Sequence, residues 1–268
     1  MEFIKLHAYG NDFLLLSARE AARSADLPAL ARKVCHRHHG IGADGMMVVD
    51  ETVAGARTRL LNADGSRSEI SGNGIRCVAA WLAHTRGLDQ GEHVVIETEA
   101  GPKQVDVLSV DGLTYTCRAA MGHPEDLREE DIDVAGQTVK AVVLRVGNPQ
   151  CVVLGPPTHV SEERLHAVAA RLAVHPFFPA GTNVELATVE APDRIRILIW
   201  ERGVGPTEAS GTGACAAAVA SAAFGGAARA CDVVSPGGTQ RVEWSDDDGI
   251  QLTGDATLIG RAEAWGRR

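Results

Sequence analysis

Apolar residues along this chain fall into short runs separated by glycine-centred turns, a pattern of strands more than of long helices. Strands are predicted at 3–7 and 13–17. A helix follows over 28–38, with Asp26 as its cap and Pro28 at its first position. Strands at 45–49 and 58–62 precede a Gly-rich turn that opens a second helix over 73–86, closed by Gly87. Asp111-Gly112 reads as a hairpin turn. Further along, helices are predicted at 162–173 and 212–224, and the Ala-rich stretch 214–224 has almost no polar face, so it should be buried all round. A buried helix with strands on both sides of it in sequence implies a curved, barrel-like sheet wrapped around a central helix. The βαβαβ alternation of dinucleotide-binding folds is missing.

The same features occur twice. Gly10-Asn11-Asp12 before an apolar run matches Gly147-Asn148-Pro149. Gly42-Ala43-Asp44 matches Gly181-Thr182-Asn183, Ser71-Gly72-Asn73-Gly74 matches Ser210-Gly211-Thr212-Gly213, and Asp111-Gly112 matches Asp248-Gly249. All four offsets lie between 137 and 139 residues, about half of the 268. One such coincidence is unremarkable, but four in register indicate an internal duplication. The expected fold is therefore α/β (α+β), with two pseudo-symmetric domains. Residues 1–118 form the N-terminal half and 119–268 the C-terminal half, the final strand being free to pack back on the N-terminal half.

Composition narrows the function. The chain is 45% hydrophobic but only 4% aromatic, so its core is aliphatic. A net charge of −9 and a pI near 5.6, with no basic block, argue against nucleic-acid or membrane-surface partners. No apolar stretch approaches a membrane span, and the N-terminus lacks the apolar core of a signal peptide. The six cysteines have no metal-site spacing and read as reduced cytoplasmic thiols. His36, His38 and His39 cluster at the expected end of the first helix, where cationic side chains favour the dipole, so no metal site is assigned.

Each Ser-Gly-x-Gly turn presents free backbone N–H groups at the positive end of a helix, which suits a carboxylate or phosphate. One copy alone reads as a serine N-cap with glycines for close packing. Two copies related by duplication suggest an anion held from both sides. Ser71 and Ser210 would then flank a single carbon, with Gly72, Asn73, Gly211 and Thr212 supplying donors. That is the geometry a racemase needs.

Eight motifs extend this. Gly10-Asn11-Asp12-Phe13, Gly40-Ile41-Gly42-Ala43-Asp44-Gly45, Asn62-Ala63-Asp64-Gly65-Ser66 and Gly72-Asn73-Gly74 with Arg76-Cys77 lie in the first half. Gly147-Asn148-Pro149, Gly181-Thr182-Asn183-Val184-Glu185, Glu201-Arg202-Gly203 and Gly211-Thr212-Gly213-Ala214 lie in the second. Together they resemble the diaminopimelate epimerase family over essentially the whole chain. The resemblance implies a cofactor-independent, cytoplasmic isomerase of lysine and peptidoglycan biosynthesis, acting on a small amino-acid substrate and interconverting LL- and meso-diaminopimelate. A homodimer is a candidate assembly. In that family two cysteines, one before each glycine turn, carry the α-proton; the matching positions here are Ser71 and Ser210. Cys77 and Cys215 match helical positions outside that pair. The resemblance also implies substrate contacts at Asn11, Asn62, Asn148, Asn183, Glu201 and Arg202, where Arg202 suits a carboxylate and Glu201 an ammonium.

The serines carry a large energetic consequence. A thiol ionises near pH 8.5, whereas an alcohol resembles water at roughly 15.7, a gap worth about 10 kcal/mol. Helix dipoles, at about 1–2 kcal/mol, do not recover that. Gln150 stands where the family usually has His, and Pro206 where it has an acidic residue. Proton transfer is thus expected to be impaired while binding is intact. Three alternatives follow: a lyase or dehydratase, a racemase of another amino acid, or a non-catalytic amino-acid binder. Glu201, Asp44 and Glu208 lie near in motif terms, but none is a convincing replacement base.

Overall fold

The computed structural model describes residues 1–265. Met1–Ala119 with the chain from Gly254 onward forms one unit, and Ala120–Thr253 forms the other.

In the first unit, β1 (Glu2–Ala8) pairs antiparallel with β2 (Asn11–Ser17), which lies parallel to β3 (Gly45–Glu51). Next comes β4 (Gly55–Asn62), antiparallel to β3, with the short β5 (Arg67–Ser68) folded back on it. Then β6 (His93–Thr98), β7 (Gly101–Asp111) and β8 (Thr114–Gly122) follow. The last strand, β17 (Gly249–Glu263), pairs with both β8 and β1 and closes the ring into a barrel of eight strands. Inside runs the helix Gly72–Arg86, whose Ile75, Val78 and Leu82 are fully buried. Gly87 ends it in a left-handed turn (φ 66°), donating its N–H to the Ala83 carbonyl. Outside, the helix Leu27–Cys35 packs Ala31 and Val34 with Leu14, Leu16, Met46 and Val48.

The second unit repeats this order. Its strands are β9 (Glu125–Val134), β10 (Gln137–Arg145), β11 (Pro149–Leu154), β12 (Asn183–Ala191), β13 (Arg194–Glu201), β14 (Gly205–Thr207), β15 (Ala230–Ser235) and β16 (Gly238–Ser245). From β10 onward every pairing has the sense of its counterpart starting at β1: antiparallel, parallel, antiparallel, antiparallel, parallel, antiparallel, antiparallel. The central helix is Gly211–Phe224, buried from Gly211 to Ser221. Outside it, Leu165, Val168 and Leu172 pack with Cys151, Val153, Val184 and Leu186. Alternation therefore turns Gln150 of β11 and Asn183 and Glu185 of β12 toward the central helix. The expected fold class, barrel-like sheets each around a central helix, is the one observed.

Local expectations need correction at several points. The first helix stops at Cys35 instead of running to 38, because the His36 ring Nδ1 accepts the N–H groups of His38 and His39 and turns the chain. Leu27, not Pro28, is its first residue. The hairpin is displaced by one: Asp111 pairs with Thr114, so Gly112 (φ 60°) and Leu113 form the turn. The helix predicted at 162–173 contains a wider π turn over Leu165–Ala169. The last turn of the Ala-rich helix is exposed, with Phe224 at 43%.

Candidate functional site

In the first unit, Ser71 caps the central helix from an extended conformation (φ −129°, ψ 122°), its Oγ accepting the Gly74 N–H at 3.0 Å. The cap uses the third N–H of the helix and leaves those of Gly72 and Asn73 without an intrahelical acceptor. Both residues are buried.

Below the turn lies a chain of buried polar groups. Arg76 Nη2 donates to Asn73 Oδ1 at 2.6 Å, Asn73 Nδ2 to Asn11 Oδ1 at 3.1 Å, and Asn11 Nδ2 to Asp44 Oδ2 at 2.8 Å. Arg37 pairs with both Asp12 (2.9 Å) and Asp44 (2.6 Å), and Lys5 Nζ lies 2.6 Å from Asp12 while also bonding the Gly42 carbonyl. Burial would raise the Asp12 carboxyl, but the bonds to Arg37 and Lys5 outweigh it and hold the group below its ordinary value. Asp44 moves the other way, raised by burial and then by the Asp12 charge. Asn11, expected at the substrate, thus also ties the helix turn to this ionic cluster. Asn62 ends β4 opposite Gly45, its Nδ2 donating to Ser66 Oγ at 3.1 Å.

The second unit builds the matching turn. Ser210 (φ −137°, ψ 130°) caps its helix through Oγ, which accepts the Gly213 N–H at 3.1 Å and lies 3.5 Å from Thr212 Oγ1. Gln240 Nε2 donates to the Ser210 carbonyl at 3.3 Å. Gln150 Nε2 donates to Asn148 Oδ1 at 2.6 Å, and Gln150 is the β-neighbour of Asn183. Asn183 Oδ1 accepts the Arg202 N–H at 2.9 Å, and Arg202 Nη1 reaches the Ala180 carbonyl at 3.0 Å. Asn148, Gln150, Asn183 and Arg202 are therefore drawn together by direct bonds and strand register. Glu201 ends β13 next to Arg202, with Oε2 buried.

Sequence reasoning assigned no role to Glu185. Its side chain is fully buried on the inner face of β12, and a Cβ on Gly213 would lie 2.6 Å from its Oε1. Neither carboxyl oxygen has a hydrogen-bond partner from another residue. Burial pushes this carboxyl well above its ordinary value, and the Glu201 charge pushes it further. Gln150 Oε1 is likewise buried and unpartnered. The signal available in sequence was an acidic residue two places after Asn183, and so on the same face of the strand.

All six cysteines are buried. Burial raises the thiols of Cys35 and Cys117 to about 12, and pushes Cys77 and Cys151 up as well, so these are packing groups rather than bases. Among the described residues no group of three or more His, Cys, Asp or Glu could hold a metal ion, and no helix is long and apolar enough to cross a membrane.

Residues 3–125 and 142–259 match the sequence model of the family described as diaminopimelate epimerase. The diaminopimelate epimerase of Moorella thermoacetica is 40% identical over 278 aligned positions, spanning 98% of this chain and 99% of that protein. That of Desulforudis audaxviator is 40% identical over 274, spanning 97% of each. Among solved structures, a predicted epimerase from Pseudomonas aeruginosa has a TM-score of 0.76 at 16% identity, covering 99% of both chains. A hydroxyproline epimerase from Agrobacterium vitis, with bound trans-4-OH-L-proline, has a TM-score of 0.71 at 17% identity over 98% of this chain and 91% of that one. The structural likenesses establish the shared fold. The family-model match and the near-full-length sequence relatives place this chain in the diaminopimelate epimerase family.

Proposed function

We propose that the protein binds diaminopimelate and interconverts its LL and meso forms by moving the α-proton, at a rate limited by serine at both proton-carrying positions. The observation that carries this reading is the near-full-length match to two diaminopimelate epimerases at 40% identity. In support, each unit has a serine-capped helix whose first two N–H groups are unused by the helix, a setting for an α-carboxylate. Asn62, Asn148, Asn183, Glu201 and Arg202 form the set that would take the distal amino-acid end of the substrate, and Asn11 adds a contact beside the first turn. Ser71 and Ser210 stand where the resemblance puts thiols.

The test is NMR of LL-diaminopimelate with the protein in D₂O, alongside calorimetric titration. Binding with slow α-deuteration and appearance of the meso form supports the proposal. A keto or unsaturated product would make the protein a lyase. Binding with no exchange would make it an amino-acid binder, and preference for a different amino acid would reassign the substrate.

A further inference from the structure

The duplication supplies an internal control for the glycine turns. In the second unit, a Cβ built on Gly213 would lie 2.6 Å from Glu185 Oε1 and 3.1 Å from Ser210 Oγ. In the first, a Cβ on Gly74 would lie 2.9 Å from Met47 Sδ and 3.1 Å from Ser71 Cβ. Strand register makes the correspondence: Phe13 pairs with Gly45 as Gln150 pairs with Asn183, so Met47 and Glu185 are each two residues further along equivalent strands. One place in the fold, beneath the same turn, thus holds a thioether in one unit and a carboxyl in the other. Both side chains are buried, at 1% and 0% exposure.

A thioether there is ordinary packing. A carboxyl there is costly, because it is buried with neither oxygen partnered by another residue. The groups around it do not neutralise it. Glu201 on β13 is of like charge, Cys151 on β11 is a neutral thiol, and Gln150, Ser210 and Thr212 carry no charge. Packing does not require the acid, since Met47 fills the same place in the other unit.

We propose that Glu185 is the proton-holding partner of Ser210, reached across the gap that Gly213 leaves by having no side chain, and that the first unit, with Met47 there, has no such partner. The proposal rests on the reading of the protein as an amino-acid epimerase with Ser210 at a proton-carrying position. Glu185 touches no substrate and acts through Ser210. In the forward step the substrate Cα–H bond breaks and its electron pair stays on carbon. The proton goes to Ser210 Oγ as the hydroxyl proton passes to the Glu185 carboxylate, with which Ser210 Oγ makes no hydrogen bond in the free protein and on which it must close for the step. In the return step the Glu185 acid gives its proton to Oγ, and the Oγ proton re-forms the Cα–H bond. A carboxylate is a far weaker base than an alkoxide, so the serine never has to ionise fully. Exchange with solvent enters from the Ser210 side alone.

The experiment compares wild type with Glu185→Met, Glu185→Gln and Glu185→Asp. Methionine copies the other unit, so that variant is expected to fold. In D₂O, α-deuteration of diaminopimelate should fall about 100-fold or more in kcat for Glu185→Met and Glu185→Gln, with KM little changed, and should return in part for Glu185→Asp. An ionisation above the ordinary carboxylate range is expected in the wild-type kcat profile and should vanish with Glu185→Gln. Unchanged exchange or an unchanged pH profile in Glu185→Met overturns the proposal. Infrared spectra of the free proteins give an independent arm. A protonated-carboxyl band present in wild type, missing from Glu185→Met, and lost only above the ordinary carboxylate range supports the proposal; no such band overturns it. If wild type neither binds nor exchanges diaminopimelate while that band is present, the substrate reading fails and the assignment of the proton to Glu185 stands.

Discussion

Asn73 donates its side-chain amide to Asn11 Oδ1 at 3.1 Å, joining the first turn of the central helix to the end of the first hairpin. Arg76 holds the other end of the Asn73 amide, and Asp44 holds the other end of Asn11. The position of the Gly72–Asn73 backbone is therefore set by a side-chain relay, in addition to the helix itself.

Asn11→Leu should break this relay at its centre. It leaves the Asn73 Nδ2 group buried without its Asn11 acceptor, a loss of about 1–3 kcal/mol, while Asp44 Oδ2 loses one of its two donors and keeps the Asp12 N–H. Urea unfolding would read the destabilisation, and calorimetry with diaminopimelate would read weaker binding. A variant as stable as wild type would show that the relay is not what holds the turn.

The ionic cluster beneath it makes a prediction about acid. The folded-state pKa of Asp12 is lowered: burial raises it, and the bonds to Arg37 and Lys5 outweigh that. Its contribution to stability is complete above the unfolded carboxyl pKa of about 4 and is lost as pH falls through the lower folded value. Asp12→Asn should flatten that acid limb of the stability curve measured by thermal unfolding. An unchanged acid limb would remove Asp12 as its source.

Ser71→Cys with Ser210→Cys should raise diaminopimelate epimerisation strongly, while either single change restores much less, because inversion needs a base on one face of the carbon and an acid on the other. The gain has a structural cost. Each serine Oγ accepts a helix N–H, and sulfur accepts more weakly, so each change should cost up to about 1 kcal/mol of stability. Measured inversion, exchange and unfolding on the four proteins separate the two effects. If wild type inverts as fast as the double variant, serine is a competent proton carrier in this site.

Much of this was legible in the sequence. The repeated glycine motifs gave the duplication, and Ser71 and Ser210 read as caps from their spacing alone. The strands β9 and β10 escaped because seven of the ten residues of β9 are charged, its Glu129 forming an exposed ion pair with Lys140 of β10, and without β9 the apolar run of β10 has no visible hairpin partner. The hairpin at Asp111 was misplaced by one residue since Asp-Gly and Gly-Leu are both workable two-residue turns. Glu185 stayed hidden for a different reason. Its burial follows from strand register, which decides which side of β12 meets the central helix, and register is set by long-range pairing with β11 and β13.

That buried carboxyl leads to a stability prediction with a definite sign. Burial, then the Glu201 charge, raises the folded pKa of Glu185. A carboxyl raised on folding favours the folded state least once pH exceeds its unfolded pKa, so its penalty grows from about pH 4 upward until the folded value is passed. Glu185→Met removes the penalty and installs the side chain that the equivalent place already accommodates as Met47. The variant should therefore be more stable than wild type at neutral pH, by about 1–3 kcal/mol, with the difference shrinking toward pH 4. Thermal and urea unfolding across that pH range test it. Gain of stability together with loss of α-proton exchange is the signature of a group kept for chemistry at the expense of packing. A variant that loses stability at neutral pH would mean instead that Glu185 holds the barrel together.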